Sequence, residues 1–367
     1  MKVSLSGPSI TDKEKKLVNQ VLDSGWLSCG PKLDEFEEHF AQYIGSEYAI
    51  GVNSGTSGLH LLIRSLGIEE GDEVITTPFS FISSSNCILF EDAKPVFVDI
   101  DPETLCLDVD KVEAAITDKT KAILAVDVFG QPANMTEIMN LAEKHDLKVI
   151  EDSCEAIGAE HKGDKVGTIA HASVFAFYPN KQLTTGEGGM IVTDDQEIAK
   201  LCTSMRNQGR SSNARWLNHV RLGYNYRLDE MSAALGIAQL ERVEEILAKR
   251  KDAAQKYNAL FADLDAVKTL TISEDTTKMS WFVYVVQIDK VYNRDQIMED
   301  LRAEGVQCKP YFTPIHLQPF YKEEFGYQPG DYPVTEEVSA STIALPFHTE
   351  LTEEEIEYVA QKLKELL

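Results

Sequence analysis

Short apolar runs alternate with helical patterns along the chain up to about residue 207. Each run is continuously apolar, which is typical of strands buried on both faces. Strands are predicted at residues 48–52, 73–77, 95–99, 122–128, 148–152, 174–177 and 190–193. Helices are predicted at residues 57–66, 80–90, 110–116, 134–146 and 194–207. This alternation predicts an α/β fold in which helices cover both faces of a largely parallel sheet.

Two helices precede this pattern. The first follows a capping box at residues 11–14, and the second opens near Pro31 and runs to about Ile44. After Asp229 the pattern changes to one long predicted helix, over residues 229–263, in which Gly236 is the weak point. Beyond it we predict a strand at 281–288, a helix at 293–304, a proline- and aromatic-rich loop at 310–333 and a final helix from Thr352.

The change after Asp229 predicts a division into two domains. With 367 residues the chain is too long for one compact core. We place the boundary inside the long predicted helix. Residues 1–245 then form a large α/β domain with an N-terminal helical segment, and residues 246–367 a smaller α+β domain.

Composition narrows the classes of partner. The formal net charge of −25 would be repelled by phosphate backbones, so nucleic acid is not expected as a partner. No apolar run approaches the roughly 18 residues of a membrane helix, so no membrane partner is expected. The N-terminus lacks the apolar stretch of a signal peptide. The six cysteines are scattered without CxxC spacing, which disfavours a metal site or a disulfide framework and fits a cytoplasmic location.

A glycine- and serine-rich turn, residues 53–58, follows a predicted strand and opens a helix. Glycine lets the backbone approach a ligand, and a helix start offers free N–H groups to an anion. The turn is neither a Walker loop nor a GxGxxG motif. Taken alone, it is either a phosphate-binding site or an ordinary connection between strand and helix.

Two further segments place ionisable side chains at strand ends. Glu151 and Asp152 end a strand, where ligands bind in open α/β sheets, although a lone carboxylate there is more often a helix cap. Lys181 follows another strand, between aromatic residues and a glycine-rich segment. A lone lysine is usually a solvated surface charge, but a partly desolvated one forms Schiff bases with pyridoxal 5′-phosphate (PLP). A phosphate site, a carboxylate for the ring nitrogen and a lysine are the three parts that PLP needs.

The sequence resembles the DegT-type family of PLP-dependent nucleotide-sugar aminotransferases over nearly its whole length. The matching motifs are Ser24-Gly25-Trp26-Leu27, Phe36-Glu37, Asn53-Ser54-Gly55-Thr56, Gly71-Asp72-Glu73-Val74, Ser80-Phe81, Pro95-Val96-Phe97-Val98-Asp99, Glu151-Asp152, Tyr178-Pro179-Asn180-Lys181, Gly186-Glu187-Gly188-Gly189, Gly223-Tyr224-Asn225-Tyr226-Arg227 and Ala238-Gln239-Leu240. The resemblance implies the fold-type I architecture of aspartate aminotransferase-like enzymes, with a mostly parallel mixed sheet.

The resemblance also implies roles for individual residues. Lys181 would be the Schiff-base lysine and proton shuttle, Asp152 the partner of the pyridinium nitrogen, and Phe81 the residue stacked on the ring. The phosphate would be held by Gly55, Thr56 and Ser57.

Four more residues receive expected roles from the resemblance. Asn225 matches the asparagine that reaches the phosphate from the neighbouring subunit, which implies a homodimer with shared active sites. Arg227 is expected at the same shared site. Tyr311 and His316 match positions near the sugar substrate, with packing or a solvated loop as the alternative for both and for Phe81.

Two positions depart from the commonest family pattern. Many relatives have serine five residues before the lysine, where its hydroxyl binds phosphate, whereas this chain has Ala176. Many relatives also have glutamine near the ring hydroxyl, where this chain has Glu155. Glutamate at that position resembles the subset that aminates the sugar C4 carbon.

The implied function is a PLP-dependent transaminase in amino-sugar and polysaccharide biosynthesis. It would move an amino group from L-glutamate to a nucleotide-linked keto-sugar. The alternatives are a keto-cyclitol aminotransferase, a sugar dehydratase of the same fold and a non-enzymatic regulatory protein. Dehydratase relatives replace the lysine by histidine, so Lys181 argues against that alternative.

Overall fold

The computed structural model describes residues 1–211 and 218–367 of the chain. The strands are β1 (Tyr48–Val52), β2 (Glu73–Thr76), β3 (Lys94–Phe97), β4 (Thr120–Val126), β5 (Lys148–Asp152), β6 (Glu160–His161), β7 (Asp164–Lys165), β8 (Ala172–Ala176), β9 (Gly189–Thr193), β10 (Val267–Thr269), β11 (Thr276–Lys278), β12 (Tyr284–Ile288) and β13 (Thr342–Leu345). The helices are α1 (Asp12–Ser24), α2 (Pro31–Ile44), α3 (Gly55–Ser65), α4 (Ser83–Leu89), α5 (Val109–Ala115), α6 (Met135–His145), α7 (Gln196–Arg206), α8 (Glu230–Leu240), α9 (Val243–Phe261), α10 (Arg294–Ala303), α11 (Pro319–Phe325), α12 (Pro333–Ser341) and α13 (Glu353–Glu365). Within the residues described, none of these helices combines the length and the apolar character needed to span a bilayer.

The apolar runs predicted as strands form one seven-stranded sheet, in the order β1-β9-β8-β5-β4-β2-β3. The pairs β8–β5, β5–β4, β4–β2 and β2–β3 are parallel. Strand β9 is antiparallel to both of its neighbours, β1 and β8. The predicted α/β fold with a mostly parallel mixed sheet is therefore confirmed.

Successive residues of the central strands enter different cores because side chains alternate across a sheet. On β5, Ile150 packs with the apolar side chains of α3 and α7, whereas Val149 packs with those of α5 and α6. On β8, Val174 joins the first of these clusters, and Phe175 packs with Phe40 of α2. Both faces of the sheet are thus buried, as the continuous apolar runs predicted.

The C-terminal part of the chain has a separate antiparallel sheet, in the order β10-β12-β13. Helices α9, α10 and α13 contribute to one apolar core with this sheet. At its centre the ring of Tyr257 stacks on that of Tyr284, with 4.7 Å between ring centroids. A second small sheet joins β11 to the hairpin β6–β7.

The prediction of one long helix over residues 229–263 is wrong. The segment forms α8 and α9, which are separated at Glu241 and Arg242. Arg242 has non-helical angles, φ −113° and ψ 5°. Its guanidinium donates to the buried carboxylate of Glu14 at 2.6 Å, and Gln239 donates to the same carboxylate oxygen at 2.8 Å. Contacts with the N-terminal segment therefore accompany a break that local sequence does not signal.

Two helices were missed in or beside the segment predicted as loop at 310–333. Helices α11 and α12 each begin with a proline at the first helical position, Pro319 and Pro333. Proline is favoured there because its missing N–H has no partner inside a helix. The predicted strand at 281–288 is also shorter, since Trp281 adopts a positive φ of 56° and the strand begins at Tyr284.

Two carboxylic acids, Glu151 and Asp127, are completely buried. Side-chain alternation points Glu151 of β5 away from Asp152. Its Oε2 accepts from the backbone N–H of Gly167 at 2.7 Å and from the hydroxyl of Ser173 at 2.9 Å. Burial raises the pKa of Glu151 to about 7. Burial and the nearby Glu151 carboxyl also raise the pKa of Asp127 well above its usual range.

Because Glu151 and Asp127 have raised pKa values, we expect the folded protein to become less stable as the pH rises. In an unfolded chain the carboxyl of Glu151 ionises from about pH 4.5, whereas in the folded chain it keeps its proton until about pH 7. The free energy of unfolding should therefore decrease between these values. In Glu151→Gln this decrease should be smaller by on the order of 2 kcal/mol. Urea unfolding at pH 5 and pH 8 measures it, with the exposed Glu143→Gln as control. An equal decrease of the unfolding free energy in wild type and in Glu151→Gln would contradict the raised pKa of Glu151.

Candidate active site

A cavity of about 470 Å³ opens at the carboxyl ends of the parallel strands. Three of its lining residues, Val126, Asp152 and Ala176, are the last residues of β4, β5 and β8. The other lining residues are Ser54, Gly55, Thr56, Ser80, Phe81, Ser83, Cys154, Glu155, Tyr178, Asn180, Lys181, Glu187, Gly188, Phe282, Tyr311 and Phe312. A larger but more open depression of about 940 Å³ lies beside β10 and α12 and contains none of the predicted site residues. We therefore take the smaller cavity as the candidate site.

The N-terminus of α3 forms one wall of the cavity. Ser54 caps the helix, and its hydroxyl accepts from the N–H of Ser57 at 3.1 Å. The N–H groups of Gly55 and Thr56 have no carbonyl partner within the helix, since they belong to its first turn. A Cβ at Gly55 would lie only 2.8 Å from the Cβ of Ala176, so glycine alone allows this close packing. The free N–H groups and the dipole of α3 suit a phosphate.

Ser57 lies outside this wall. Its hydroxyl donates to the side-chain oxygen of Asn53 at 2.7 Å and is 3.0 Å from the hydroxyl of Ser54. The side chain of Ser57 therefore belongs to the cap of the helix, and it is absent from the described lining of the cavity. Its predicted contact with phosphate stays a prediction.

Lys181 projects into the cavity against Glu155 and Phe282. Its Nζ lies 3.3 Å from Oε1 of Glu155 and 3.9 Å from the centroid of the Phe282 ring. Burial raises the pKa of Glu155, an effect that the charge of Lys181 opposes. The other oxygen of Glu155 accepts from the N–H of Phe129 at 2.9 Å. Lys181 is thus a largely desolvated amine held by one carboxylate and one aromatic face.

Asp152 is a further acidic residue that the structure brings to the cavity. It is buried, and its Oδ1 accepts from the N–H of Cys154 at 3.2 Å. Its Oδ2 accepts from the hydroxyl of Ser84 at 2.7 Å. These two donors fix the orientation of the carboxylate, which can also accept from a protonated ring nitrogen.

Two aromatic residues expected from the sequence also line the cavity. Phe81 is 62% exposed, so its ring is free to cover a bound cofactor. Tyr311 is half-buried, and burial raises its pKa to about 12, so it remains a phenol at neutral pH. Sequence reasoning missed Phe282, which comes from the C-terminal part of the chain and is marked by no local motif, and it also missed Phe312, which directly follows the predicted Tyr311.

Besides Ser57, three predicted residues lie outside the described lining of the cavity. Asn225 is exposed, and its backbone carbonyl accepts from the side chain of Asn53 at 3.4 Å. Arg227 donates to the side-chain oxygen of Asn207 at 3.0 Å. His316 is completely buried, with Nε2 3.0 Å from Oε1 of Glu336. Their predicted roles therefore stay predictions.

The fold and the cavity together define the class of PLP-dependent aminotransferases of fold type I. The N-terminus of α3 fits the phosphate, Asp152 fits the ring nitrogen, and Lys181 is the amine that this chemistry needs. Residues 8–364 match the DegT/DnrJ/EryC1/StrS aminotransferase family, and the chain belongs to that family.

Known relatives agree with this assignment over their whole length. A GDP-perosamine synthase of Caulobacter vibrioides is 38% identical over 369 residues, which cover 100% of this chain and 98% of the relative. Helicobacter pylori PseC, an aminotransferase involved in the biosynthesis of pseudoaminic acid, has a TM-score of 0.95, 31% identity and coverage of 100% and 99%. The PMP-form of the putative sugar aminotransferase Spr1654 from Streptococcus pneumoniae has a TM-score of 0.96, 29% identity and coverage of 100% and 98%. The chain is thus a sugar aminotransferase of this family, and its cofactor is PLP.

The phosphate wall predicts the effect of restoring the hydroxyl that this chain lacks. Ala176 lines the cavity beside Gly55, so Ala176→Ser places a donor at the wall. We expect PLP to bind more tightly by about 1–3 kcal/mol at most, because the phosphate is a charged acceptor. Fluorescence titration of the apoprotein with PLP measures this, and Ala176→Gly controls for the altered packing. Equal or weaker affinity would show that another group already fills the place.

Proposed function

We propose that the chain transfers the amino group of L-glutamate to C4 of a nucleotide-diphosphate-linked keto-deoxysugar, in amino-sugar and polysaccharide biosynthesis in the cytoplasm. The observation that carries the proposal is the contact of Lys181 with Glu155 inside the cavity, at 3.3 Å. Glutamate at position 155 resembles the subset of the family that aminates C4. The name of the GDP-perosamine synthase relative supports a nucleotide-linked sugar as acceptor.

The proposed mechanism assigns one task to each group of the chain. Bound PLP supplies an electron sink for the charge that develops at the amino-donor carbon. The N–H groups of Gly55 and Thr56 would hold its phosphate, and Phe81 would cover its ring. Asp152 would keep the proton on the ring nitrogen, since a nearby carboxylate favours the cationic form. Lys181 would then remove a proton from the amino-donor carbon in the first half of the reaction and deliver one to the sugar carbon in the second half, each time at Nζ.

The surroundings of Lys181 suit this proton transfer. The side chain of Lys181 is only 13% exposed, and the ring of Phe282 covers its Nζ. Few water molecules can then compete for the proton. Glu155 is the carboxylate nearest to Nζ, so it would orient the amine toward the reacting carbon. Because Glu155 is itself anchored by the N–H of Phe129, the orientation is set by the backbone.

We propose that the working unit is a homodimer with shared active sites. Within the described lining of the cavity, Asp152, Glu155 and Glu187 are acidic and Lys181 is the single basic residue. A nucleotide diphosphate and glutamate are both anions, so further cations and donors have to come from elsewhere. Asn225 is exposed, in agreement with contact with a partner chain. Its neighbours Tyr224 and Tyr226 stack on each other with 4.9 Å between centroids, which holds this segment in place.

Arg227, Tyr311 and His316 complete the proposal. Arg227 would serve the shared site, and Tyr311 would contact the sugar from the cavity wall. His316 is buried against Glu336, so it would act on the sugar region only through the residues packed around it. We also propose the domain boundary inside α9, with residues 1–245 forming the PLP-binding domain and residues 246–367 the small domain.

A turnover assay tests the proposed function and its alternatives. Purified protein with PLP and L-glutamate should convert a nucleotide-linked 4-keto-6-deoxysugar to the amino sugar, whereas Lys181→Ala should not. Borohydride should fix the cofactor to Lys181, and peptide mass mapping identifies the site. Label on another lysine would refute the assignment of Lys181. Turnover of keto-cyclitols alone would favour the cyclitol alternative, and release of a deoxygenated sugar without amine would favour the dehydratase. Cofactor binding without any turnover across the substrate panel would favour the regulatory protein.

Mixed dimers test the shared site. Lys181→Ala removes the amine from its own site, and Asn225→Asp places a negative charge against the partner's phosphate. Each homodimer should be nearly inactive. In a mixed dimer one site receives both changes and the other receives neither, so activity should return to about half of the wild-type level per mixed dimer. Mass spectrometry confirms that mixed dimers form. If they form and stay inactive, Asn225 serves its own chain's site or none.

A further inference from the structure

Three consecutive serines, Ser83, Ser84 and Ser85, begin helix α4, and their side chains have different environments. Ser83 lines the cavity. The hydroxyl of Ser85 lies 2.7 Å from that of Tyr321, and both residues are buried. The hydroxyl of Ser84 donates to Oδ2 of Asp152 at 2.7 Å. Among the hydrogen bonds of the described residues, Ser84 is therefore the one serine of the three that contacts the carboxylate of Asp152.

A second hydroxyl lies behind this contact. Oγ of Ser80 is 2.7 Å from Oγ of Ser84. Ser80, Ser84 and Asp152 are 5%, 1% and 4% exposed, so bulk water does not compete for these hydrogen bonds. Ser80 also lines the cavity, whereas Ser84 is absent from its described lining. The pair thus links the cavity wall to Oδ2 of Asp152.

The proton count fixes the direction of this pair. Each hydroxyl has one proton, and an ionised carboxylate can only accept. Ser84 therefore donates its hydrogen bond to Asp152, although the carbonyl of Phe81 lies 3.2 Å away. The oxygen of Ser84 can then accept a hydrogen bond from the hydroxyl of Ser80. A chain of hydroxyls that ends on a charged acceptor strengthens each of its hydrogen bonds.

We propose that Ser84, supported by Ser80, is a positioning residue that holds the carboxylate of Asp152 oriented toward the ring nitrogen of PLP. This inference rests on the proposed role of Asp152. Without the hydroxyl of Ser84, the N–H of Cys154 is the other described donor to the carboxylate, on Oδ1. Oδ2 would then turn toward other donors, and the carboxylate of Asp152 would no longer be aligned with the ring nitrogen.

Binding of two cofactors to the apoprotein provides the test. PLP carries the ring nitrogen, and its 1-deaza analogue replaces that nitrogen by carbon. Ser84→Ala should weaken the binding of PLP by about tenfold, because the displaced carboxylate of Asp152 would lose its charge-assisted hydrogen bond with the ring nitrogen, and such a bond contributes at least that much. The affinity for the analogue should not change, because the analogue has no ring nitrogen. Ser80→Ala should show the same selectivity with a smaller effect, about threefold. Ser85→Ala is the matched control, since it removes an equally buried hydroxyl of the same helix that contacts Tyr321 instead.

Each outcome of this comparison is informative. An equal loss for PLP and the analogue in Ser84→Ala would show a role in packing or at the phosphate wall, and unchanged PLP affinity would show no role. Either result overturns the proposal. Ser84→Cys, of similar size and a weaker donor, should give an intermediate loss for PLP alone, and it replaces Ser84→Ala if that variant is unstable. Asp152→Asn, measured alongside, tests the underlying role: if it still prefers PLP as wild type does, the assignment of Asp152 fails, whatever Ser84 shows.

Discussion

The parallel pairing of β5 with β4 on one side and β8 on the other is the constraint on which the site depends. It brings the carboxyl ends of three strands to one edge of the sheet, where Val126, Asp152 and Ala176 line the same cavity. The register of β5 also decides which acid faces the cavity. Asp152 enters it, and Glu151 enters the buried layer behind the sheet. A shift of one residue would exchange the two acids and place the wrong one at the site.

The antiparallel strand β9 adds the close packing that this edge needs. Strand β9 returns after Lys181 and places Gly189 against the start of α3, where a Cβ would lie 2.8 Å from the backbone nitrogen of Gly55. Gly55 is packed equally closely against Ala176 and Cys154. Small side chains at these places let the helix terminus reach the cavity. The wall for phosphate is therefore a consequence of packing between strands as much as of the glycine-rich motif.

Features that depend on neighbouring residues could be predicted from the sequence, whereas features that depend on contacts between distant parts of the chain could not. Strands with continuous apolar runs and helices with local caps could be predicted, and so could the positions of Asp152 and Lys181 at the cavity, because Asp152 ends β5 and Lys181 lies shortly after the end of β8. The break at Arg242 could not, because it is accompanied by contacts with Glu14 far along the chain. Phe282 was missed for the same reason. Helices α11 and α12 have a local signal in the sequence, since Pro319 and Pro333 stand at their first positions.

Phe282 shows how the C-terminal part of the chain completes the site. Arg250 of α9 is buried, and its Nη1 donates to the carbonyls of Trp281 and Phe282, at 3.3 Å and 3.0 Å. Burial lowers the pKa of Arg250 to about 10, so it stays charged at neutral pH. The two carbonyl dipoles and the face of the Phe347 ring, whose centroid lies 5.5 Å from Cζ, compensate its charge. A buried cation compensated in this way fixes the backbone of Phe282, and through its ring the surroundings of Lys181. The position of the reactive amine thus depends on a residue on a helix of the C-terminal core.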